Sequence, residues 1–209
     1  MLKPILFNKP MVQALLEHRK TTTRRIIKPK DILRPPYSPE DILWVRETWT
    51  QTPDGTYWYK ADNLCNGCLE NGTCIPEGVQ KHKTCKLCDY EAGYENIKWH
   101  PSIHMRKEAA RIFLRVKAVR VERLTQITEQ EAINEGVFLY SPDFIPSYHY
   151  DKSLCQLPGN GWNNARDCFL YGVWDKTLTQ KKDIERFGWK QNPWVWVITF
   201  AQCERPDNF

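Results

Sequence analysis

The chain has 209 residues, of which 41% are hydrophobic, 26% charged and 12% aromatic; that supports one packed domain with a small appendage and excludes a disordered or fibrous chain. No run of about 18 apolar residues is present and the opening MLKPILFNKP lacks a signal-peptide core, so the expected setting is the cytoplasm, with no membrane partner. The net charge of +5 is uneven: residues 1–36 hold nine Lys or Arg against Glu17 and Asp31, giving +7 there and −2 in the remainder. A concentrated basic segment suits phosphate or nucleic-acid contact, and it also suits a plain solvated face.

Asn8 stands where a helix N-cap belongs, Pro10 is tolerated in the first turn, and Met11, Ala14, Leu15 and His18 recur at helical spacing, which predicts a helix over 9–18. The β-branched run from Arg19 to Ile27 is expected to be extended. Pro35, Pro36 and Pro39 mark a loop, and 41–49 and 56–60 read as strands. Residues 62–96 hold few aliphatics and five cysteines, and are expected to form an excursion inserted in the main domain. A loop over 99–105 follows. From Arg111 to Leu124 apolar and charged residues alternate, predicting a strand with Ile112, Leu114 and Val116 on one side and Val119 and Val121 continuing after a bulge near Lys117 and Ala118. Thr128 and Glu131 form a capping box, and Gly136 is a natural stop for a helix over 128–136. Residues 138–166 show no periodicity. Cys168–Leu178 reads as a helix with Phe169, Leu170, Val173 and Trp174 as its apolar face, and 193–200 is the strongest core strand. Strands this distant in sequence, with three short helices, predict an α+β fold built on a small β-barrel, one domain over 1–209 carrying the 62–96 insert.

Cys65 and Cys68 make one C-x-x-C pair and Cys85 and Cys88 a second, with sixteen residues between the pairs. Two such turns can close a four-thiolate zinc site, with Cys74 or His82 as a substitute ligand. A closed site of this kind leaves no position for water, so the expected ion is a structural Zn²⁺ that staples a loop too small for its own core, with no catalytic cofactor.

Lys20 is followed by Thr21, Thr22 and Thr23. A threonine hydroxyl needs a base to act as a nucleophile, and a lysine serves only when desolvation or nearby cations disfavour its charge. Arg19, Arg24 and Arg25 supply such cations, although the same residues suit a basic strand. In an ideal strand Lys20 shares a face with Thr22, and Thr23 needs a turn or bulge to join them. Glu135 closes the 128–136 helix, where the negative end of the helix dipole disfavours a carboxylate locally. It is a candidate acid or base, and equally a surface glutamate. His100 and His104 flank a loop. Trp44, Trp49, Tyr57, Trp58, Tyr59 and Trp99 can stack bases or fill a core.

The helix followed by Arg19-Lys20-Thr21-Thr22-Thr23-Arg24-Arg25, then Pro39 to Arg46, Pro101 to Met105, Val119 to Leu124, Ile127 to Gly136, Val173-Trp174-Asp175 and Pro193 to Phe200, resembles the ASCH domain family, which has a PUA-like fold, and is closest to its bacteriophage and prophage members. The likeness covers about residues 4–60 and 97–202 and leaves the cysteine loop as an insertion. Some ASCH proteins are amidohydrolases that remove the acyl group from N4-acetylcytidine with a Lys, a Thr and a Glu. The resemblance carries those roles onto Lys20, Thr23 and Glu135, with His18 standing where the family pattern has glycine. It implies a Lys-activated threonine attacking the amide, Glu135 serving the leaving nitrogen, and Arg24 or Arg25 contacting substrate. Other members are read as RNA binders or ribonucleases, so a modified nucleoside or RNA is the expected partner.

Overall fold

The computed structural model describes residues 1–28, 33–52, 55–62, 98–137, 164–207 and 209. The fold is α+β. In chain order come β1 (Leu2–Leu6), α1 (Lys9–Leu16), β2 (Thr22–Ile26), β3 (Ile42–Arg46), β4 (Trp49–Gln51), β5 (Tyr57–Tyr59) and β6 (Phe113–Arg123). Then follow α2 (Glu129–Asn134), α3 (Ala165–Asp167), α4 (Lys181–Phe187) and β7 (Trp194–Cys203).

Five strands form one sheet in the order β1-β3-β6-β7-β2, and β4 and β5 pair separately as an antiparallel hairpin. The large sheet is mixed. β1 and β3 run parallel, since Ile42 N–H donates to Met1 O at 2.8 Å and Phe7 N–H to Arg46 O at 3.1 Å. β3 and β6 run antiparallel, through Val116 N–H to Asp41 O at 2.9 Å and Val45 N–H to Ile112 O at 3.0 Å. β2 and β7 are antiparallel, with Thr23 opposite Ile198 and Arg25 opposite Trp196. Among the described residues β1 and β2 stand at the two ends of this order, and no pairing closes it into the expected barrel.

The local chemistry explains the elements. Asn8 Oδ1 accepts from the Met11 N–H at 3.1 Å, the cap that starts α1. Val12, Ala14 and Leu15 are then buried on one face. The Thr128–Glu131 capping box starts α2 as its sequence predicts, and Gly136 ends it at φ +92°. The helix expected over 168–178 begins as α3 and continues π-helically through Cys168–Trp174; Phe169, Leu170 and Trp174 are buried, with Val173 packed against them. β6 departs from expectation in its second half. Ile112, Leu114 and Val116 are buried, but Val121 is 47% exposed and Val119 only half-buried, because Glu122 turns inward toward a cation instead.

The chain divides into two compact units, Met1–Lys3 with Ala14–Leu43 and Leu114–Glu204, and Pro4–Gln13 with Trp44–Phe113 and Arg205–Phe209. The first has an apolar core of Leu124, Ile127, Phe169, Leu170, Val195 and Val197 among others. In the second, Trp49 lies 5.1 Å from His100 and 5.7 Å from Tyr57, and Phe209 meets the edge of Phe113 at 4.6 Å. The 62–96 insert, apart from Asp62, lies outside the described residues, and so do Cys65, Cys68, Cys74, His82, Cys85 and Cys88.

Candidate functional site

The site forms where the end of α1, the start of β2 and the end of α2 meet in the first unit. After α1 the chain turns through His18, which has φ 58°. The Arg19 and Lys20 amides then both donate to Ala14 O, at 2.9 and 3.0 Å. The Thr21 N–H donates to Asn134 O at 2.8 Å, and Thr21 O accepts from the Phe200 N–H at 2.9 Å. Those bonds tie the lysine to the last turn of α2. Gly136 permits the approach, since a Cβ there would stand 2.7 Å from Ala14 Cβ and 3.3 Å from Lys20 Cβ.

Lys20 and Glu135, 115 positions apart, are thereby in contact. The Lys20 Nζ donates to Glu135 Oε2 at 2.8 Å, to Glu135 O at 2.8 Å and to Thr22 O at 2.7 Å. The lysine side chain is 0% exposed and that of Glu135 2%. Burial drives the Lys20 pKa down. Glu135 opposes that, Arg25 and Arg24 add to it, and the outcome is a lowered value.

Arg24 continues the chain of charges. Its Nη1 donates to Glu135 Oε1 at 3.2 Å, and its Nη2 to Glu122 Oε1 at 2.5 Å and Glu131 Oε2 at 3.1 Å. The guanidinium lies 5.9 Å from the centre of the Phe169 ring. Arg120 reaches the same two outer carboxylates, Glu122 at 3.2 Å and Glu131. Burial pushes the Glu131 carboxyl up, but the Thr128 amide, Arg24 and Arg120 outweigh it and hold it below its usual value. Three cations thus meet three carboxylates, the pairing that buried charge requires.

Thr23 is 1% exposed. Strand alternation puts Thr22 and Arg24 on one face of β2 and Thr23 and Arg25 on the other. The Thr23 Oγ1 accepts from Arg25 Nη1 at 3.0 Å, and Arg25 is half-buried. Of the residues picked out in the sequence, Lys20, Glu135 and Arg24 are in direct contact, while Thr23 and Arg25 form a second bonded pair on the same strand. Glu122 and Glu131 were not expected here, beyond the capping role of Glu131. The available signal was the i, i+4 spacing of Glu131 and Glu135, which sets both on one helix face beside a run of arginines.

Four of the nine basic residues in the expected patch are paired with carboxylates. Lys3 pairs with Asp41 at 2.7 Å, Arg19 with Glu17 at 2.5 Å, and Lys20 and Arg24 are buried. His100 stacks on Trp49 and His104 is exposed. Among the described residues no group of three His, Cys, Asp or Glu is arranged for a metal ion, and neither Cys168 nor Cys203 is in a disulfide. No helix among them is long and apolar enough to cross a membrane. No family model matches the chain, and no curated protein or solved structure matches it either.

Proposed function

We propose that the chain is a hydrolase that removes the acyl group from an N4-acylated cytidine or a related modified nucleoside, on a PUA-like frame of the ASCH kind. One observation carries this reading. A lysine with no exposed side-chain surface is held against a carboxylate from the far end of another element, and its affinity for a proton is lowered there. Lowered proton affinity moves an amine toward the neutral form that general-base chemistry uses. Thr23, three residues along the same chain, is also buried, on the face of β2 opposite Arg24, and the proposed step requires its hydroxyl to reach the Lys20 amine.

In the proposed reaction Thr23 Oγ attacks the amide carbonyl and its proton passes to Lys20 Nζ. The oxyanion forms beside Arg25, whose Nη1 already donates to Thr23 Oγ1. The carbon–nitrogen bond then breaks, the exocyclic nitrogen leaves with a proton relayed through Lys20 and Glu135, and water releases the acyl group from Thr23. Arg24 holds Glu135 in place from the other side. N4-acetylcytidine tests this, with cytidine release as the readout. Release that persists undiminished in both Thr23→Ala and Lys20→Ala rules the mechanism out.

A second reading, nucleoside or RNA binding without turnover, draws on a different observation. The three acceptors around Lys20 Nζ match the three protons of an ammonium, the form that does no base chemistry. It predicts RNA affinity that falls steeply with salt, in proportion to the phosphates contacted. The internal pairing of the basic segment favours the hydrolase. The cysteine loop is proposed to hold one structural zinc through Cys65, Cys68, Cys85 and Cys88, with Cys74 as the alternative ligand; the support is spacing. Metal analysis of the purified chain and of Cys65→Ser/Cys68→Ser checks it, one zinc per chain being expected and none in the variant.

A further inference from the structure

We infer that Glu122, Glu131 and Arg120 are positioning residues: they set how tightly Arg24 grips Glu135, and so how much of that carboxylate is left to Lys20. The inference rests on the hydrolase reading for its kinetic consequence and extends the site outward to the surface. Glu135 divides its carboxylate between two cations, Oε2 accepting from Lys20 Nζ at 2.8 Å and Oε1 from Arg24 Nη1 at 3.2 Å. Arg24 is divided in turn. Its Nε and Nη2 donate to Glu122 Oε1 at 3.1 and 2.5 Å, and Nη2 also to Glu131 Oε2 at 3.1 Å. Those two carboxylates turn their other oxygens to Arg120, whose Nε donates to Glu122 Oε2 at 3.2 Å and whose Nη2 donates to Glu131 Oε1. Side-chain exposure rises along this line, from 0% at Lys20 and Arg24 to 13% at Glu122, 24% at Glu131 and 43% at Arg120. Hydrogen-bonded charges of alternating sign thus connect the buried amine to the surface.

Charge balance fixes the sign of each member's influence. Lys20, Arg24 and Arg120 stand against Glu135, Glu122 and Glu131, and the sum is zero. Deleting one outer carboxylate leaves a positive excess, and Arg24, released on that side, closes on Glu135. Both effects disfavour the ammonium form of Lys20. Deleting Arg120 leaves a negative excess, and the freed carboxylates draw Arg24 outward. Both effects favour the ammonium. In a buried site of low dielectric such influences pass along hydrogen-bonded charges with little loss. The other groups facing the line keep their places. Arg25 adds its charge from β2, the Thr128 amide at the start of α2 donates to Glu131 Oε2 at 3.0 Å, and residues 168–174 supply the Phe169 ring beside the Arg24 guanidinium. A guanidinium keeps its proton throughout, so Arg24 acts through its position and fixed charge.

Two variants of opposite sign test this. Glu122→Gln and Arg120→Gln each delete one charge. In a chain carrying ¹³C-labelled lysine, the Lys20 Cε resonance, assigned by its loss in Lys20→Met, reports protonation of the amine without any substrate. Its midpoint should move to lower pH in Glu122→Gln and to higher pH in Arg120→Gln. On the acid side of that midpoint, kcat/KM for N4-acetylcytidine should rise about threefold in the first and fall about twofold in the second, the smaller effect belonging to the more exposed charge. A packing role moves both midpoints the same way or leaves them in place, and either result overturns the inference. Arg120 is exposed and its variant folds, so an unmoved midpoint in Arg120→Gln is decisive even where Glu122→Gln does not fold. Should the midpoints separate as expected while the wild-type chain releases no cytidine, the hydrolase reading falls and the line of charge stands.

Discussion

In the first unit Lys20 faces the Glu135 carboxylate, which it shares with Arg24. In the second, Arg111 forks onto Glu47 at 2.9 and 3.1 Å, reaches Asp62 at 2.6 Å and lies 3.9 Å from the centre of the Tyr59 ring. Both clusters bury a charge at 1% exposure or less. They differ in which partner can change. A guanidinium stays protonated under all ordinary conditions and its planar fork fits one carboxylate geometry, so the Arg111 cluster is a fixed strut. Burial raises the Glu47 pKa, Arg111 opposes that and Asp62 adds to it, leaving it above its usual value. Desolvation favours the neutral form of an amine, so of the two centres Lys20 is the one whose charge burial weakens.

The sharpest way to break this contrast is to remove each centre. Lys20→Met should lower deacylation about 10³-fold in a chain that still unfolds cooperatively, the range expected for loss of a general base. An undiminished rate in this variant places the base elsewhere. Glu47→Gln should do the reverse: kcat/KM unchanged, and about 3 kcal/mol lost in urea unfolding, since one member of a buried pair has gone. Gly136→Ala should cost about 2 kcal/mol, because alanine at φ +92° is strained and its methyl meets Ala14. It should also lower activity, since Lys20 has to shift; unaltered kinetics would show that the close approach does not position the amine.

The smallest effect is the pH slope of stability, and its sign differs between the two clusters. The folded chain holds the Lys20 proton less tightly than the unfolded one, whose value is near 10.5. Between the lowered value and 10.5 the unfolded state therefore binds more protons, and the lysine's contribution to stability rises with pH. The folded chain holds the Glu47 proton more tightly than the ordinary 4.5, so its contribution is present below 4.5 and declines as pH rises above it. Unfolding free energies across this range should lose the alkaline rise in Lys20→Met and the acid-side decline in Glu47→Gln. Parallel curves for wild type and both variants would remove the distinction drawn here.

What could be read from the sequence was local. Asn8, the Thr128–Glu131 box and Gly136 are short-range signals, and each marks a helix end in the structure. The apolar run near the C-terminus is β7, which ends three residues later than expected. β1 was not anticipated, because Pro4 interrupts it and proline argues against a strand except at a sheet edge, where β1 stands. α4, with Asp183, Glu185 and Arg186 among its residues, has no buried side chain and so no apolar face to betray it. The barrel expectation rested on strand count alone, which says nothing of how the ends pair. For the site, Lys20 and Glu135 came from residue type and the family likeness. The carboxylates that hold Arg24 are 98 and 107 positions away, and no periodicity encodes a contact of that range.

Two of the three oxygens that seat the Lys20 amine are peptide carbonyls, of Thr22 and of Glu135 itself. Main-chain atoms survive any side-chain exchange. The acid at position 135 can therefore be swapped for an amide or a shorter acid while the nitrogen keeps most of its seat, which makes this fold a starting point for tuning a basic group without relocating it.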